Sequence, residues 1–196
     1  MRSTSPNRLL ILACSATKKT DAGRIPALHR YDGPLWQTLR AADPCGEKAR
    51  VAFVSARFGF GCAADLIEDY DEKLTELRAS ELIAGGIRQH WPKRAKKFAR
   101  LPPSGKNAWS AIAGLADNGR QPFSEVCIVG GGLYLQVMRR FVEHFRIPHE
   151  TPFETETPWV FPDAPLVEIN GPIGIMRKEL RAWLDEPAQL PLALAA

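Results

Sequence analysis

The chain has 196 residues, of which 45% are hydrophobic and 24% are charged, so it is long enough to bury a core and too apolar for wholesale disorder. Its formal net charge of +4 permits an anionic partner without requiring one. No apolar run approaches the roughly 20 residues of a membrane helix, and the early apolar run is too short for a secretory signal. We therefore expect a cytoplasmic protein with no membrane association.

The first predicted element is a buried strand. The continuous apolar run from Arg8 to Cys14 is typical of a strand that is covered on both faces. The run passes into a polar loop, Ser15 to Asp21, which contains two lysines. A helix is predicted from Pro34, a favoured first helical residue, to about Asp43.

The second predicted strand, Arg50 to Ser55, leads into a loop with two glycines, Ala56 to Gly61. Four acidic residues follow within the seven positions from Asp65 to Asp71. The apolar spacing predicts a helix from Glu72 to the glycine pair at 85–86, with Asp71 as its N-cap. Asp71 is therefore either a cap or a general base.

The stretch from Arg88 to Lys106 contains seven basic residues and no acid, with aromatic residues interspersed. This composition is typical of a surface that contacts nucleic acid. The alternative is a solvated helix face anchored by its aromatic side chains. The residues assigned to nucleic-acid binding are Lys93, Arg94, Lys96, Lys97 and Arg100, within a basic helical insertion at 88–120.

A third strand, Glu125 to Val129, is followed at once by three glycines and a helix. A short strand, Leu166 to Ile169, and a last helix, Ile173 to Leu184, close the pattern. Alternating strands and helices predict a three-layer α/β domain over residues 1–186, with a mainly parallel sheet of about four strands flanked by helices. Residues 187–196 are expected to form a loosely ordered tail.

Ligands bind beyond the carboxyl ends of strands in such sheets, and the loops that follow the first three strands meet there. We therefore predict one site at this edge. The predicted catalytic residues are Ser15, Lys18 and Asp71. The predicted substrate-binding residues are Cys14, Arg57, Gly59, Tyr70, Gly130, Gly131 and Tyr134.

Each of these groups also has a purely structural explanation. The lysines of the first loop are either solvated or, if buried, nucleophiles or bases of lowered pKa. Phe58 and Phe60 are better explained as core residues than as stacking platforms. The three glycines either bind phosphate at a helix N-terminus or allow close packing of strand and helix.

Four scattered cysteines, with no Cys-x-x-Cys pair and no histidine at zinc-ligand spacing, indicate neither a disulfide framework nor a metal site. We expect no cofactor. His29, which follows the first loop, is the histidine best placed for function.

Several short segments occur in an order that resembles known families. They are Ala13-Cys-Ser-Ala-Thr-Lys18, Leu28-His-Arg-Tyr31, Phe53-Val-Ser-Ala-Arg-Phe-Gly59, Ile67-Glu-Asp-Tyr-Asp71 and Val129-Gly-Gly-Gly-Leu-Tyr134. This order resembles a family of small bacterial and phage domains and is distantly similar to the YaaA peroxide-stress proteins. The resemblance implies DNA binding in a stress response.

The Cys14-Ser15-x-x-Lys18 element also resembles a motif of archaeosine synthase, which modifies a deazaguanine base in transfer RNA. That resemblance implies roles for Cys14, Ser15 and Lys18 at a nucleobase. Lys19-Thr20 departs from the proline and tyrosine of that motif.

The sequence therefore leaves two possible functions. The protein is either an enzyme that acts on a guanine-type base or a DNA-binding protein without catalysis. The expected partner is DNA, RNA, a nucleotide or a nucleobase.

Overall fold

A computed structural model describes residues 7–93, 105–148 and 158–187. Its strands are β1 (Arg8–Ala13), β2 (Ile25–Pro26), β3 (Arg50–Ser55), β4 (Gly59–Cys62), β5 (Leu66–Ile67), β6 (Glu125–Val129) and β7 (Leu166–Ile169). Its helices are α1 (Ala27–Arg30), α2 (Pro34–Ala42), α3 (Glu76–Gly85), α4 (Ala108–Leu115), α5 (Gly132–Phe145) and α6 (Ile173–Asp185). Among these residues, no helix has the length and apolar character needed to cross a membrane.

Five strands form the central sheet in the order β4-β3-β1-β6-β7. β1 lies at the centre, parallel to both β3 and β6, and β7 is parallel to β6. Because successive parallel strands are joined through helices, their carboxyl ends lie at one edge of the sheet. The predicted α/β class and mainly parallel sheet are confirmed.

The number of strands differs from the prediction of about four. The glycine-containing segment after β3 forms β4, which turns back and pairs antiparallel with β3. Gly59 begins this strand with a φ of +63°, a conformation that glycine adopts without steric cost. Sequence periodicity missed β4 because half of its four residues are glycines, which are uncommon within strands.

Two hydrophobic cores cover the two faces of the sheet. Side chains alternate along β1, so Leu9 and Ile11 join one core while Leu10 and Leu12 join the other. Residues of α3, α4 and α5 pack in the first core, and residues of α1, α2 and α6 pack in the second. This is the three-layer arrangement predicted from the sequence.

The helix that follows the acidic segment begins later than predicted. α3 starts at Glu76, and its N-cap is Thr75, whose hydroxyl accepts a hydrogen bond from the backbone N–H of Arg78 at 3.2 Å. The interpretation of Asp71 as the cap is therefore wrong. Asp71 instead lies in an extended segment before the helix, where its carboxylate is exposed.

Candidate functional site

The loop after β1 is held in a defined path by a buried arginine. Arg30 is fully buried, and its guanidinium donates hydrogen bonds to the carbonyls of Lys19 (2.5 Å), Asp21 (3.0 Å) and Gly23 (2.6 Å). Lys18 also forms an antiparallel bridge with Tyr31. A buried cation that donates hydrogen bonds to three carbonyl groups fixes the backbone of the loop that contains Lys18.

Close packing holds the beginning of this loop. A Cβ added to Gly33 would lie 2.2 Å from the Oγ of Ser15, so glycine is the residue that leaves space for this serine. Trp36 donates from its indole N–H to the carbonyl of Ala13 at 2.9 Å. The first turn of α2 therefore positions the segment in which Ser15 lies.

All three tyrosines of the chain meet beside Cys14. The hydroxyls of Tyr31 and Tyr70 lie 2.8 Å apart, and the hydroxyl of Tyr134 lies 3.1 Å from the Cys14 Sγ. Ser55, which is fully buried at the end of β3, lies beside both Tyr31 and Tyr70, and its Oγ accepts a hydrogen bond from the backbone N–H of Phe58 at 2.8 Å. These contacts join the loops that follow β1, β3 and β6, as the sheet topology predicts.

The tyrosine hydroxyls stay neutral at physiological pH. Burial is the largest cause that raises the pKa of Tyr31 well above 10, and the neighbouring Cys14 adds to it. Burial also raises the pKa of Tyr70, followed by the effect of Tyr31. For Tyr134, burial and then Cys14 raise the pKa. The phenols therefore act as neutral hydrogen-bonding groups and not as bases.

A polar cleft of about 460 Å³ opens beside this cluster. Its lining residues are Ala16, Lys18, Asp69, Tyr70 and Asp71. The Lys18 Nζ lies 4.4 Å from the centre of the Tyr70 ring, within the range of a cation–π interaction. The cleft thus combines an amine, two carboxylates and an aromatic ring at the carboxyl edge of a parallel sheet.

The structure brings some of the predicted site residues together and separates others. Lys18, Tyr70 and Asp71 line the cleft. Ser15, Cys14 and Tyr134 are not among its lining residues: Cys14 and Tyr134 belong to the tyrosine cluster, and Ser15 packs against Gly33. We therefore take the cleft and the tyrosine cluster together as the candidate site.

Arg57 has its charge compensated by two acids. It pairs with the carboxylates of Glu68 at 2.8 Å and Glu72 at 2.7 Å, and these bonds are the main reason its pKa is raised. Gly59 faces the core, where an added Cβ would lie 2.7 Å from the Trp91 ring. Neither residue lines the cleft.

The three glycines divide between two environments. Gly130 is buried, and an added Cβ would lie 2.9 Å from that of Ala13 and 3.2 Å from that of Tyr134. Close packing is therefore its evident role. Gly131 and Gly132 are exposed at the start of α5, with open space where a side chain would be.

The phenylalanines and the histidine of this region also have defined places. Phe60 is buried against Phe141 and Phe145, and the half-buried Phe58 contacts Tyr70 with ring centres 5.1 Å apart. His29 is exposed on α1.

The basic stretch is described only at its ends. Arg94, Lys96, Lys97 and Arg100 lie outside the described residues. Lys93 is exposed, with its Nζ 4.6 Å from the centre of the buried Trp91 ring, and Arg88 lies 4.1 Å from the Trp109 ring. Lys106 forms an ion pair with Asp65.

Sequence reasoning missed three contributors to the site. Asp69 lines the cleft. Tyr31 forms a hydrogen bond with Tyr70, and Ser55 lies beside it. The sequence has three tyrosines, and each lies in a segment that follows a different strand. This distribution was a possible signal of a shared site, but only the three-dimensional structure shows that the tyrosines are buried together.

Comparisons of this chain with protein-family models, with curated proteins and with solved structures found no match. Within the part of the chain that the structure describes, no group of three or more histidine, cysteine, aspartate or glutamate side chains is arranged to hold a metal ion. The four cysteines are free thiols.

Proposed function

We propose that this protein acts on a guanine-type nucleobase, free or within a nucleic acid, that binds in the cleft beside Lys18. The observation that carries the proposal is that Lys18, Asp69, Tyr70 and Asp71 line a single cleft. Its volume of about 460 Å³ lies within the range of small-molecule sites.

The lining groups suit the two sides of guanine. Guanine presents acceptors at O6 and N7, for which lysine is a common donor in base recognition. Its N1–H and amino group are donors, and the carboxylates of Asp69 and Asp71 are acceptors for them. Adenine and cytosine lack this combination, so the cleft discriminates by hydrogen-bond pattern.

The short Cys14-Ser15-x-x-Lys18 motif also resembles that of archaeosine synthase and supports the same class of base. In the enzymatic form of the proposal, Asp71 accepts a proton from the bound base and Lys18 supplies the positive charge or the amine. The four free thiols suit the reducing cytoplasm, where we place the protein.

The test is calorimetric titration of the full chain with guanosine, 7-deazaguanosine, inosine and adenosine. We expect guanosine to bind. We expect 7-deazaguanosine, which keeps O6 but lacks the N7 acceptor, and inosine, which lacks the amino group, to bind more weakly, and adenosine not to bind. Lys18→Met and Asp71→Asn should each weaken guanosine binding about 10- to 100-fold, since each removes a charge-assisted hydrogen bond of about 1.5–3 kcal/mol.

Lys19→Met is the matched control, because Lys19 is exposed on the same loop and does not line the cleft. Equal affinity for all four nucleosides, or an equal effect of the Lys18 and Lys19 variants, would contradict the proposal.

The contrasting function is non-enzymatic DNA binding through the stretch from Arg88 to Lys106. It predicts that a variant with Lys93, Arg94, Lys96 and Lys97 changed to glutamine loses DNA affinity and salt dependence, while Lys18→Met retains both. Exposed cations at Arg88 and Lys93, held over tryptophan rings, support a role for this surface.

A further inference from the structure

A groove on the outer layer of the molecule, separate from the cleft beside Lys18, runs between α2 and α6. It is open to solvent and has a volume of about 340 Å³. Its lining residues are Thr38, Gly174, Arg177, Lys178 and Arg181. Three of them are cationic and none carries a carboxylate, and mainly the apolar atoms of these residues form the walls of the groove.

The cations lie on one flank of α6 because Arg181 is one turn from both of the others, at i+4 from Arg177 and i+3 from Lys178. The apolar face of the same helix, formed by Leu180, Trp183 and Leu184, is buried in the core. Packing of that face against the body of the protein fixes the cationic flank beside α2. The groove is thus built on two well-packed helices.

Arg177 is anchored at one nitrogen. Its Nε donates a hydrogen bond to the Thr38 Oγ1 at 3.0 Å, and that hydroxyl in turn donates to the carbonyl of Pro34 at 2.8 Å. A guanidinium has five N–H donors, so the four on its terminal nitrogens remain. None of these four has an acceptor among the described residues.

No carboxylate of the described residues pairs with the cations of this groove, whereas three arginines of α3 and α5 are paired. Arg78, Arg139 and Arg140 each form an ion pair with a glutamate. Lys178 and Arg181 contact no carboxylate within the described ranges. Three adjacent cations that repel one another are stabilised when an anion occupies the space between them.

We propose that the groove between α2 and α6 is a phosphate-binding site. A guanidinium with its terminal nitrogens available binds phosphate oxygens in pairs, and a lysine ammonium adds a point charge. Gly174 has open space where a side chain would be, so an anion can approach the helix backbone there. The phosphate belongs either to a small phosphorylated molecule or to a nucleic-acid strand.

An anionic membrane surface fits the structure less well. A helix that lies in a membrane inserts an apolar face, and that face of α6 is buried in the core. Among the described residues of α6, the exposed large apolar side chains are Ile173 and Ile175, at 46% and 50%. We therefore assign the groove to phosphate in solution.

The test measures binding of two probes to the full chain, inorganic pyrophosphate by calorimetry and a fluorescein-labelled oligothymidylate by anisotropy across a salt series. The variant Lys178→Gln/Arg181→Gln removes two of the three cations from exposed positions. The control Arg50→Gln/Arg140→Gln removes the same net charge from exposed positions outside the groove. Circular dichroism and the urea midpoint confirm that both variants fold.

We expect the groove variant to weaken pyrophosphate binding about tenfold or more and the control to change it less than about twofold. If a strand is the ligand, the slope of log affinity against log salt also falls by about 1.4, from two lost contacts on a single strand. An effect on pyrophosphate alone assigns the groove to a small phosphorylated ligand.

The proposal is overturned if neither probe binds to the wild-type protein, or if both variants weaken binding equally. Co-sedimentation with phosphatidylglycerol vesicles is a third measurement, and the proposal is also overturned if the groove variant loses only vesicle binding. Guanosine binding to the groove variant separates this site from the cleft beside Lys18, because none of the groove residues lines that cleft.

Discussion

At the scale of single residues, the candidate site depends on side chains that are polar yet buried. Tyr31 is fully buried and Tyr70 is 9% exposed, and their hydroxyls satisfy each other at 2.8 Å. Ser55 completes the group. A buried hydroxyl that lacks a partner costs about 1–3 kcal/mol, so this mutual arrangement fixes the ring over which Lys18 lies.

The buried phenols predict an unusual alkaline titration. Burial raises the pKa of Tyr31 and Tyr70, so tyrosinate absorbance of the folded protein should stay flat as the pH passes 10. The unfolded chain still titrates near pH 10. The unfolded state then binds fewer protons than the folded state, so stability is full below pH 10 and falls above it, by about 1.4 kcal/mol per pH unit for each tyrosine.

Spectrophotometric titration of the native protein and of the protein in denaturant checks this prediction. Tyr70→Phe is the control for the size of the signal from one residue. A native titration with an apparent pKa near 10 for all three tyrosines would contradict the buried cluster.

At the scale of elements, the boundary of α3 decides what Asp71 is free to do. Because Thr75 caps the helix, the carboxylate of Asp71 is available to the cleft. Similarly, the ion pairs of Arg57 with Glu68 and Glu72 tie the turn after β3 to the segment before α3. In the acidic segment, Glu68 and Glu72 therefore have a structural role as partners of Arg57, whereas Asp69 and Asp71 face the cleft.

The cap assignment gives a direct comparison of two substitutions. Thr75→Ala should destabilise the protein by about 1 kcal/mol, because the backbone N–H of Arg78 loses its acceptor. Asp71→Asn should change stability by less than about 0.5 kcal/mol, since its side chain is exposed and outside the helix. Urea denaturation measures both, and a larger loss for Asp71→Asn would restore it as the cap.

At the scale of the whole molecule, one buried ion pair joins the sheet to the last helix. Arg8 on β1 and Glu125 on β6 pair at 3.0 Å with almost no exposure, and the Trp183 indole of α6 donates to the same carboxylate at 2.5 Å. Arg8 also donates to the carbonyls of Trp183 and Glu186. These bonds fix the packing of α6 and hence one wall of the groove between α2 and α6.

Breaking this pair from one side should be costly. Arg8→Met leaves the Glu125 carboxylate buried without its cation, and we expect a loss of about 3–5 kcal/mol in the free energy of unfolding. The double variant Arg8→Met/Glu125→Gln removes the stranded charge and keeps an acceptor for Trp183, so it should be more stable than the single variant. Urea denaturation of the two proteins provides the measurement, and a single variant as stable as the wild type would refute the prediction.

The sequence by itself determined the α/β class, the parallel strands and the edge of the sheet at which the candidate site was expected. Continuous apolar runs such as Leu9–Ala13 identify buried strands, and alternation with helices dictates parallel crossovers. Lys18 was predicted for the same reason, since its loop follows the first strand to that edge, whereas Tyr70 and Asp71 were predicted from the acidic segment in which they lie. The local sequence pattern is sufficient to predict these features, because hydrophobic periodicity and the rules for connecting strands depend on residues that are close together in the sequence.

Only the tertiary structure decided which polar groups share a space. Arg57 and Asp71 were both predicted site residues, and each lies just beyond a strand. In the structure, however, two glutamates compensate the charge of Arg57, whereas Asp71 faces the cleft. The meeting of Tyr31 with Tyr70, and of α2 with the cations of α6, joins residues far apart in the chain. Such contacts depend on how helices pack on the sheet, and a one-dimensional pattern carries no information about which distant side chains become neighbours.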